Sequence, residues 1–365
     1  MRPLRIVHSE AATSFGGQEN RIFKEMCAMR DRGHSLEAIC QPHARLTGKL
    51  VEAGFAVQTL LMDGPRNYVR GVLQLRRYLK AGRFDVLNTH SRRDTLLAGV
   101  AARLAGTPLI VRTRHLAIAP RSLLSYTGVP HRVTTVSDHV GQLLIARGVP
   151  SAKLATVYSP VPSFDPVPES TLRAELGIPA HAVVVGCVAV MREKKGHRVL
   201  IEAMRGLLQR PEVYLVLVGD GSPLYEELQA DVRHSGLQAK VIFAGRRQDI
   251  PNVLAGFDVF ALATEQEASG TVFVEAAMAG LPVVGTDVGG VAEMLQNGVT
   301  GLLVPVQDTA ALEQALARLI DDPGLRRTMG QAGLKFIHES GRFDTETLVA
   351  DTEACYDRWL KELNA

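Results

Sequence analysis

Short apolar runs rich in valine, isoleucine and leucine alternate along the chain with longer stretches whose apolar positions recur at helical spacing. The first run is residues 4–8 (LRIVH); a helical pattern over about 16–32 and a second run at 35–40 (SLEAIC) follow it. Further strand candidates are 55–61, 84–90, 108–113 and 132–137, each set off from the next by a helical stretch. Continuous apolar runs separated by helices predict a parallel sheet covered on both faces.

After residues 153–157 the chain reads YSPVPSFDPVPES, with Pro160, Pro162, Pro166 and Pro168 close together. Proline fixes the backbone and blocks helix and central strand alike, so this stretch reads as a linker. Alternation then restarts, with runs at 182–190, 213–219, 240–245, 258–263 and 282–287. The expected fold is therefore α/β: two Rossmann-like, doubly wound domains, residues 1–162 and 163–343, facing each other across a cleft at the carboxyl ends of their strands. Residues 344–365 carry Leu348, Cys355, Trp359 and Leu363 at helical spacing, which predicts a closing helix that packs back across the domain junction. The lone tryptophan reads as packing rather than ligand stacking.

Composition narrows the class. Of 365 residues, 46% are hydrophobic and 22% charged, which suits an ordered globular chain. The N-terminal stretch has only LRIV as an apolar run, short of the core of about 7 to 15 residues in a signal peptide. No stretch approaches the roughly 20 apolar residues of a membrane span. Cys27, Cys40, Cys187 and Cys355 are scattered without a CxxC pair, a pattern of reduced thiols that points to the cytoplasm.

Charge is divided unevenly. Residues 1–162 hold 23 Lys+Arg against 10 Asp+Glu, and residues 163–365 hold 18 against 28. A basic half invites an anionic partner, although attraction between the two halves accounts for the imbalance equally well. Within it, PRNYVRGVLQLRRYLKAGR sets Arg66, Arg70, Arg76, Arg77, Lys80 and Arg83 among Val, Leu and Tyr. Such a helix is either a plain solvated one or a peripheral anchor on the anionic inner face of a membrane, and the second is the expectation carried forward; no nucleic acid is expected.

The densest chemistry lies in EASGTVFVE, residues 267–275, followed by AAMAGLPVVGTDVGG. Glu267 ends a loop, small residues open a helix, and Glu275 falls inside that helix. Unpaired N–H groups at a helix start favour an anion, and two carboxylates can accept hydroxyl hydrogen bonds, a combination suited to a phosphorylated sugar. On spacing alone, a helix that happens to contain two glutamates is an equal reading.

Taken together, GGQENRIFKEMCAMRDRGHSLEAIC, KKGHRVLIEAM, VGDGS and the 267–305 block resemble glycosyltransferase family 4, retaining enzymes of GT-B architecture that use nucleotide sugars. The resemblance runs over nearly the whole chain. It implies that Glu275 accepts hydrogen bonds from the donor ribose and that Glu267 holds the transferred sugar. Gly270, Thr271 and Val272 would then offer backbone N–H groups to the diphosphate or sugar. It gives Lys195 the role of stabilising the departing diphosphate, with Lys194 beside it. Where the family commonly has an arginine five residues before the lysine, this chain has Val190, so Arg192 is the expected substitute at the phosphates, the lesser reading being a solvated surface charge.

By the same resemblance Gly16 and Gly17 approach the donor diphosphate, and His115 contacts the transferred sugar or the reacting centre. Read alone, the glycines are a tight turn and His115 a structural histidine. His90, Arg92 and Arg114 are the acceptor-side candidates, near Arg93 and Arg112 at the same sheet edge. Ser159-Pro160 stands where the family usually has Asn-Gly. No Asp-x-Asp triplet occurs, so no metal and no other cofactor is expected, and Gly219-Asp220-Gly221 lacks the third glycine of a dinucleotide fingerprint. The resulting expectation is hexosyl transfer from a UDP-sugar, or a GDP-sugar, to a glycan or lipid-linked acceptor in lipopolysaccharide or other surface polysaccharide assembly. A nucleotide-sugar epimerase and a non-catalytic sugar-nucleotide-binding partner are the alternatives.

Overall fold

The computed structural model describes residues 2–161, 163, 167 and 169–364. Five residues of the expected linker, Pro162, Phe164, Asp165, Pro166 and Pro168, lie outside the described residues. The chain forms two compact units, one of residues 1–160 and 342–365, the other of residues 161–341.

The first unit is built on a seven-stranded parallel sheet: β1 (Arg5–Glu10), β2 (Ser35–Cys40), β3 (Ala56–Thr59), β4 (Val86–Thr89), β5 (Leu109–Arg114), β6 (Arg132–Thr135) and β7 (Leu154–Thr156), in the order β3-β2-β1-β4-β5-β6-β7. Central strands β4 and β5 are buried along their whole length, which is why they read as continuous apolar runs instead of alternating ones. Helix α1 (Gly17–Asp31) follows β1, and helix α2 (Pro65–Gly82) links β3 to β4. The order reverses between β1 and β4, so side chains at their carboxyl ends line a switch point of the sheet.

The second unit holds a six-stranded parallel sheet of β8 (Val183–Val188), β9 (Val213–Val218), β10 (Val241–Gly245), β11 (Val259–Leu262), β12 (Val283–Thr286) and β13 (Gly301–Val304), ordered β10-β9-β8-β11-β12-β13. Its switch point falls between β8 and β11. Helices α3 (His197–Met204) and α4 (Thr271–Met278) start at those two carboxyl ends. Strands β7 and β13 are the two the apolar pattern does not set apart, because they are three and four residues long and lie at sheet edges.

The last helix, α5 (Thr345–Asn364), belongs to the first unit. Its Leu348, Val349, Cys355, Tyr356 and Trp359 join Ile22, Met26 and Met29 of α1 and Leu109 and Val111 of β5 in one core. Trp359 is 1% exposed, whereas Leu363, one turn on, is 38% exposed, so the buried stripe stops before the end of the helix. Being acidic, α5 also offsets the charge of the basic unit: Arg32 pairs with Glu346 and Glu353, His34 with Glu353, and Arg132 with Glu362. With it, the first unit counts 26 Lys+Arg against 16 Asp+Glu.

Candidate active site

In the second unit the turn after β8 is stitched to the loop after β11. The Lys194 carbonyl accepts from the Glu265 N–H (2.8 Å) and the Thr264 hydroxyl (3.0 Å). Gly196, with φ of +67°, lets this happen: a Cβ there would stand 1.8 Å from the Ala263 carbonyl oxygen. The stitch brings Lys195 Nζ onto the Glu267 carboxylate, an ion pair whose side chains are 20% and 16% exposed. The Lys194 ammonium is disfavoured mainly by burial, then by Lys195, with Glu267 opposing and Arg192 adding to the repulsion. Arg192 is exposed and close enough for its charge to act on Lys194; Val190 is also exposed.

Glu267 leads into α4 through Gly270, whose φ of +77° places the first helical N–H groups of Thr271 and Val272 at the half-exposed helix start. Glu275 sits on the second turn of α4, half-buried. Gly289 and Gly290 lie against the Glu267–Ala268 backbone, with the Gly290 N–H donating to the Glu267 carbonyl at 3.1 Å. A Cβ on Gly289 would meet that carbonyl oxygen at 1.8 Å.

Two polar groups here carried no assignment from the sequence. Ser269 Oγ is buried beside the helix start, and both ring nitrogens of His197 are buried beneath Lys195's turn; none has a hydrogen-bond partner among the described residues. Burial holds His197 neutral, down to about 4, with Lys195 adding to the effect. Nothing in the local pattern separates them from packing residues, and a serine just before a helix reads as an ordinary capping residue. Beyond β9 and β10, a cavity of about 390 Å³ is lined by Asp220, Gly221, Ser222, Tyr225, Glu226 and Gly245. Nearby, Arg247 and Asp249 bind each other.

In the first unit the histidines form a line. His8 on β1 and His90 after β4 are buried; His115, after β5, is half-buried. His8 Nδ1 lies 2.9 Å from His90 Nε2, and His90 Nδ1 lies 3.0 Å from His115 Nε2. His90 is held in place through its backbone, whose N–H donates to Asp94 Oδ2 at 2.8 Å, while Asp94 Oδ1 accepts from the Ser91 N–H at 2.7 Å. His90 and His115 lie well below the usual imidazole range, first because burial penalises the cation and then because neighbouring imidazoles and arginines repel it.

The arginines divide. Arg92 is exposed. Arg114 gives Nε to the Leu116 carbonyl (2.9 Å) and Nη2 to that of Ile118 (2.5 Å), shaping the loop beyond His115. Arg112 is buried 3.8 Å from Asp94, and Arg93 pairs with Asp63, so each finds its counter-charge within its own unit. Gly16 caps α1, its N–H donating to Glu19 Oε2 at 2.7 Å. Its φ of −142° is ordinary extended backbone, and a Cβ on Gly17 would meet nothing within 4 Å. A Cβ on Gly16 would stand in ordinary contact, 3.5 Å from Glu19 Oε2, so the open space beside the helix start is at Gly17. Glu10 braces this loop from β1, accepting from the Ala12 N–H (2.7 Å) and from the Gln18 side-chain amide. No group of three or more His, Cys, Asp or Glu among the described residues could hold a metal ion.

Two parallel sheets with reversed strand order, each bearing its polar cluster at the switch point, define a GT-B glycosyltransferase fold. Over 97% of this chain and all of the other, it matches Anabaena Alr3699/HepE, solved in complex with UDP, with a TM-score of 0.87 at 23% identity. Family models agree: residues 15–163 match Glycosyltransferase Family 4 and residues 168–336 match Glycosyl transferases group 1. The GDP-mannose-dependent alpha-(1-6)-phosphatidylinositol monomannoside mannosyltransferase of Mycolicibacterium smegmatis is 31% identical over 259 residues, 65% of this chain and 67% of that protein. The chain belongs to glycosyltransferase family 4. It is also 24% identical over 352 residues (87% of this chain, 88% of the relative) to the UDP-Gal:alpha-D-GlcNAc-diphosphoundecaprenol alpha-1,3-galactosyltransferase of Escherichia coli. With the lipopolysaccharide core biosynthesis glycosyltransferase LpsE of Rhizobium meliloti identity is 34% over 178 residues, 48% of this chain and 50% of that protein. The chain thus spans about half the length of some of the curated relatives it matches.

Proposed function

We propose that this glycosyltransferase moves a hexose, with retention of its anomeric configuration, from a UDP-sugar to a hydroxyl of a glycan or lipid-linked acceptor in lipopolysaccharide or other surface polysaccharide assembly. The observation that carries the reading is the Lys195–Glu267 pair at the start of α4, with Glu275 on the next turn. A diphosphate at the α4 start meets the N–H groups of Thr271 and Val272 and the helix dipole, and Lys195 with Arg192 neutralises the charge that grows as it departs. Side chains supply that charge without a metal ion. Glu267 accepts from the transferred sugar and Glu275 from the ribose. UDP is favoured over GDP because a relative matched over 87% of this chain and 88% of its own names UDP-Gal and the Anabaena structure holds UDP, against GDP-mannose in a Mycobacterium tuberculosis relative matched over 80% of this chain and 81% of its own. We assign His115 of the first unit to the transferred sugar and Arg92 to the acceptor; His90, buried with both ring nitrogens taken up by His8 and His115, acts through His115 and does not meet the acceptor itself.

The same E. coli relative names a diphosphoundecaprenol acceptor, which supports a lipid-linked substrate here. Helix α2 supports delivery at an anionic bilayer: Tyr68, Val69 and Leu73 are exposed among Arg66, Arg70, Arg76, Arg77 and Lys80. No helix among the described residues is long and apolar enough to cross a membrane.

Calorimetry with UDP, GDP and their sugars, followed by NMR of the product anomer and assay in excess EDTA, tests the reading. Expected are UDP binding, roughly tenfold or more weaker in Glu275→Ala as a charged hydrogen bond is lost, an axial product from an axial donor, and turnover unaffected by EDTA. GDP-selective binding would overturn the donor, an inverted product the stereochemistry, and loss of turnover in EDTA the metal-free neutralisation.

A further inference from the structure

The line His8–His90–His115 obeys a proton count. Three neutral imidazoles carry three N–H protons on six ring nitrogens, and each of the two hydrogen bonds between them uses one. One proton is left for two outer nitrogens, His8 Nε2 and His115 Nδ1. Whichever end has it is a donor, and the other end is a bare acceptor. The middle ring cannot be chosen independently, because His90 must donate through one nitrogen and accept through the other.

The surrounding charges are not symmetrical. His115 feels Arg21, Arg112 and Arg114, all cationic, whereas His8 feels the carboxylate of Glu25 together with Arg21. Positive neighbours favour a lone pair, and a carboxylate favours an N–H. Both preferences put the spare proton on His8. The rings of His8 and His90 lie within 10° of parallel, and those of His90 and His115 within 38°. Asp94 fixes the backbone of the middle ring.

We infer that His90 and His8 are positioning residues that lock His115 as the Nε2–H tautomer, so that its Nδ1 acts as a hydrogen-bond acceptor for a substrate hydroxyl. His115 Nε2–H donates to His90 Nδ1, and His90 Nε2–H donates to His8 Nδ1. This rests on the reading above that His115 faces the transferred sugar, and it adds a selectivity: the group opposite His115 must be a donor hydroxyl, and an ether or carbonyl oxygen there is rejected.

Long-range 1H–15N correlation spectra of the full chain, labelled with 15N-histidine, report each ring's tautomer directly. The expected spectrum has His115 and His90 neutral, with bare Nδ1. In His8→Leu the last acceptor is gone, so His115 should populate both tautomers and kcat/KM should fall at least about tenfold, wrong tautomers being costly. His8→Asn puts a carbonyl oxygen near the place of Nδ1 and should restore both tautomer and turnover. Protonated Nδ1 on His115 in the parent protein, or an unchanged His115 spectrum in His8→Leu, would overturn the inference. The spectra decide without any turnover, so a failure of the donor assignment leaves a separate trace.

Discussion

Lys195, leaving β8, and Glu267, leaving β11, form an ion pair across the switch point of the second sheet. Each partner holds the other at the place where a nucleotide sugar is proposed to lie, so the pair is a resting arrangement that donor must enter. Lys195→Ala should reduce kcat by about 10² or more, as expected for loss of a group that stabilises developing charge, with little change in melting temperature because the pair is partly exposed. Glu267→Gln frees Lys195 and should weaken sugar recognition while leaving UDP affinity within about threefold. Steady-state kinetics and UDP titration of both variants check this; equal loss of UDP binding in Glu267→Gln would refute the division of roles.

Gly289 gives a second expectation. Its backbone is left-handed, at φ of +59°, and a Cβ would collide with the Glu267 carbonyl oxygen. Gly289→Ala must displace the loop that bears Glu267, costing roughly 1–3 kcal/mol in strain and activity beyond that share. Urea unfolding and kcat/KM measured together should show both.

Glu10 makes stability depend on pH. Burial first, and then the charge of Asp94, push its carboxyl from the usual 4.5 up to about 8. Between those values the native chain holds a proton that the unfolded chain has released, so this group's contribution falls as pH rises through the window and levels off above it. Glu10→Gln should therefore gain stability relative to the parent progressively from pH 5 to pH 8. Urea midpoints at pH 5, 7 and 9 measure it, and a constant difference would contradict the buried, protonated carboxyl.

Helix α2 should bind vesicles by charge and by apolar contact. Replacing Arg70, Arg76 and Arg77 with glutamine should weaken binding to anionic liposomes by about 1 kcal/mol per residue at low salt. Leu73→Ser, which removes apolar area without adding charge, should weaken it without changing the salt dependence. Flotation at two ionic strengths separates these effects, and no binding by the parent chain to anionic liposomes would end the membrane proposal.

Much of this fold is legible because parallel strands buried on both faces cannot alternate. Residues 35–40 emerge from the pattern with the bounds of β2, whereas β13 is too short to stand out beside Gly301. Glu267 and Glu275 are readable as a spacing, but their meaning depends on Lys195, 72 positions away, which only the β8–β11 crossover brings near. The histidine line is less legible still. His8 lies on β1 and His90 and His115 just past the ends of β4 and β5, strands that are neighbours in space only, and no periodicity links residues 8, 90 and 115. Arg114 shows the converse: a cation at a sheet edge looks available in the sequence, yet it is buried and two of its N–H groups are committed to the carbonyls of Leu116 and Ile118.

The placement of α5 orders events during synthesis. Residues 161–341 are contiguous, so that unit has its whole core once they clear the ribosome. The unit begun first is finished last, because Tyr356 and Trp359 must arrive before the face of α1 carrying Ile22, Met26 and Met29 is covered. For the length of the intervening unit's translation, that apolar face stays open to chaperones, and a stop codon as late as residue 345 would leave it so permanently.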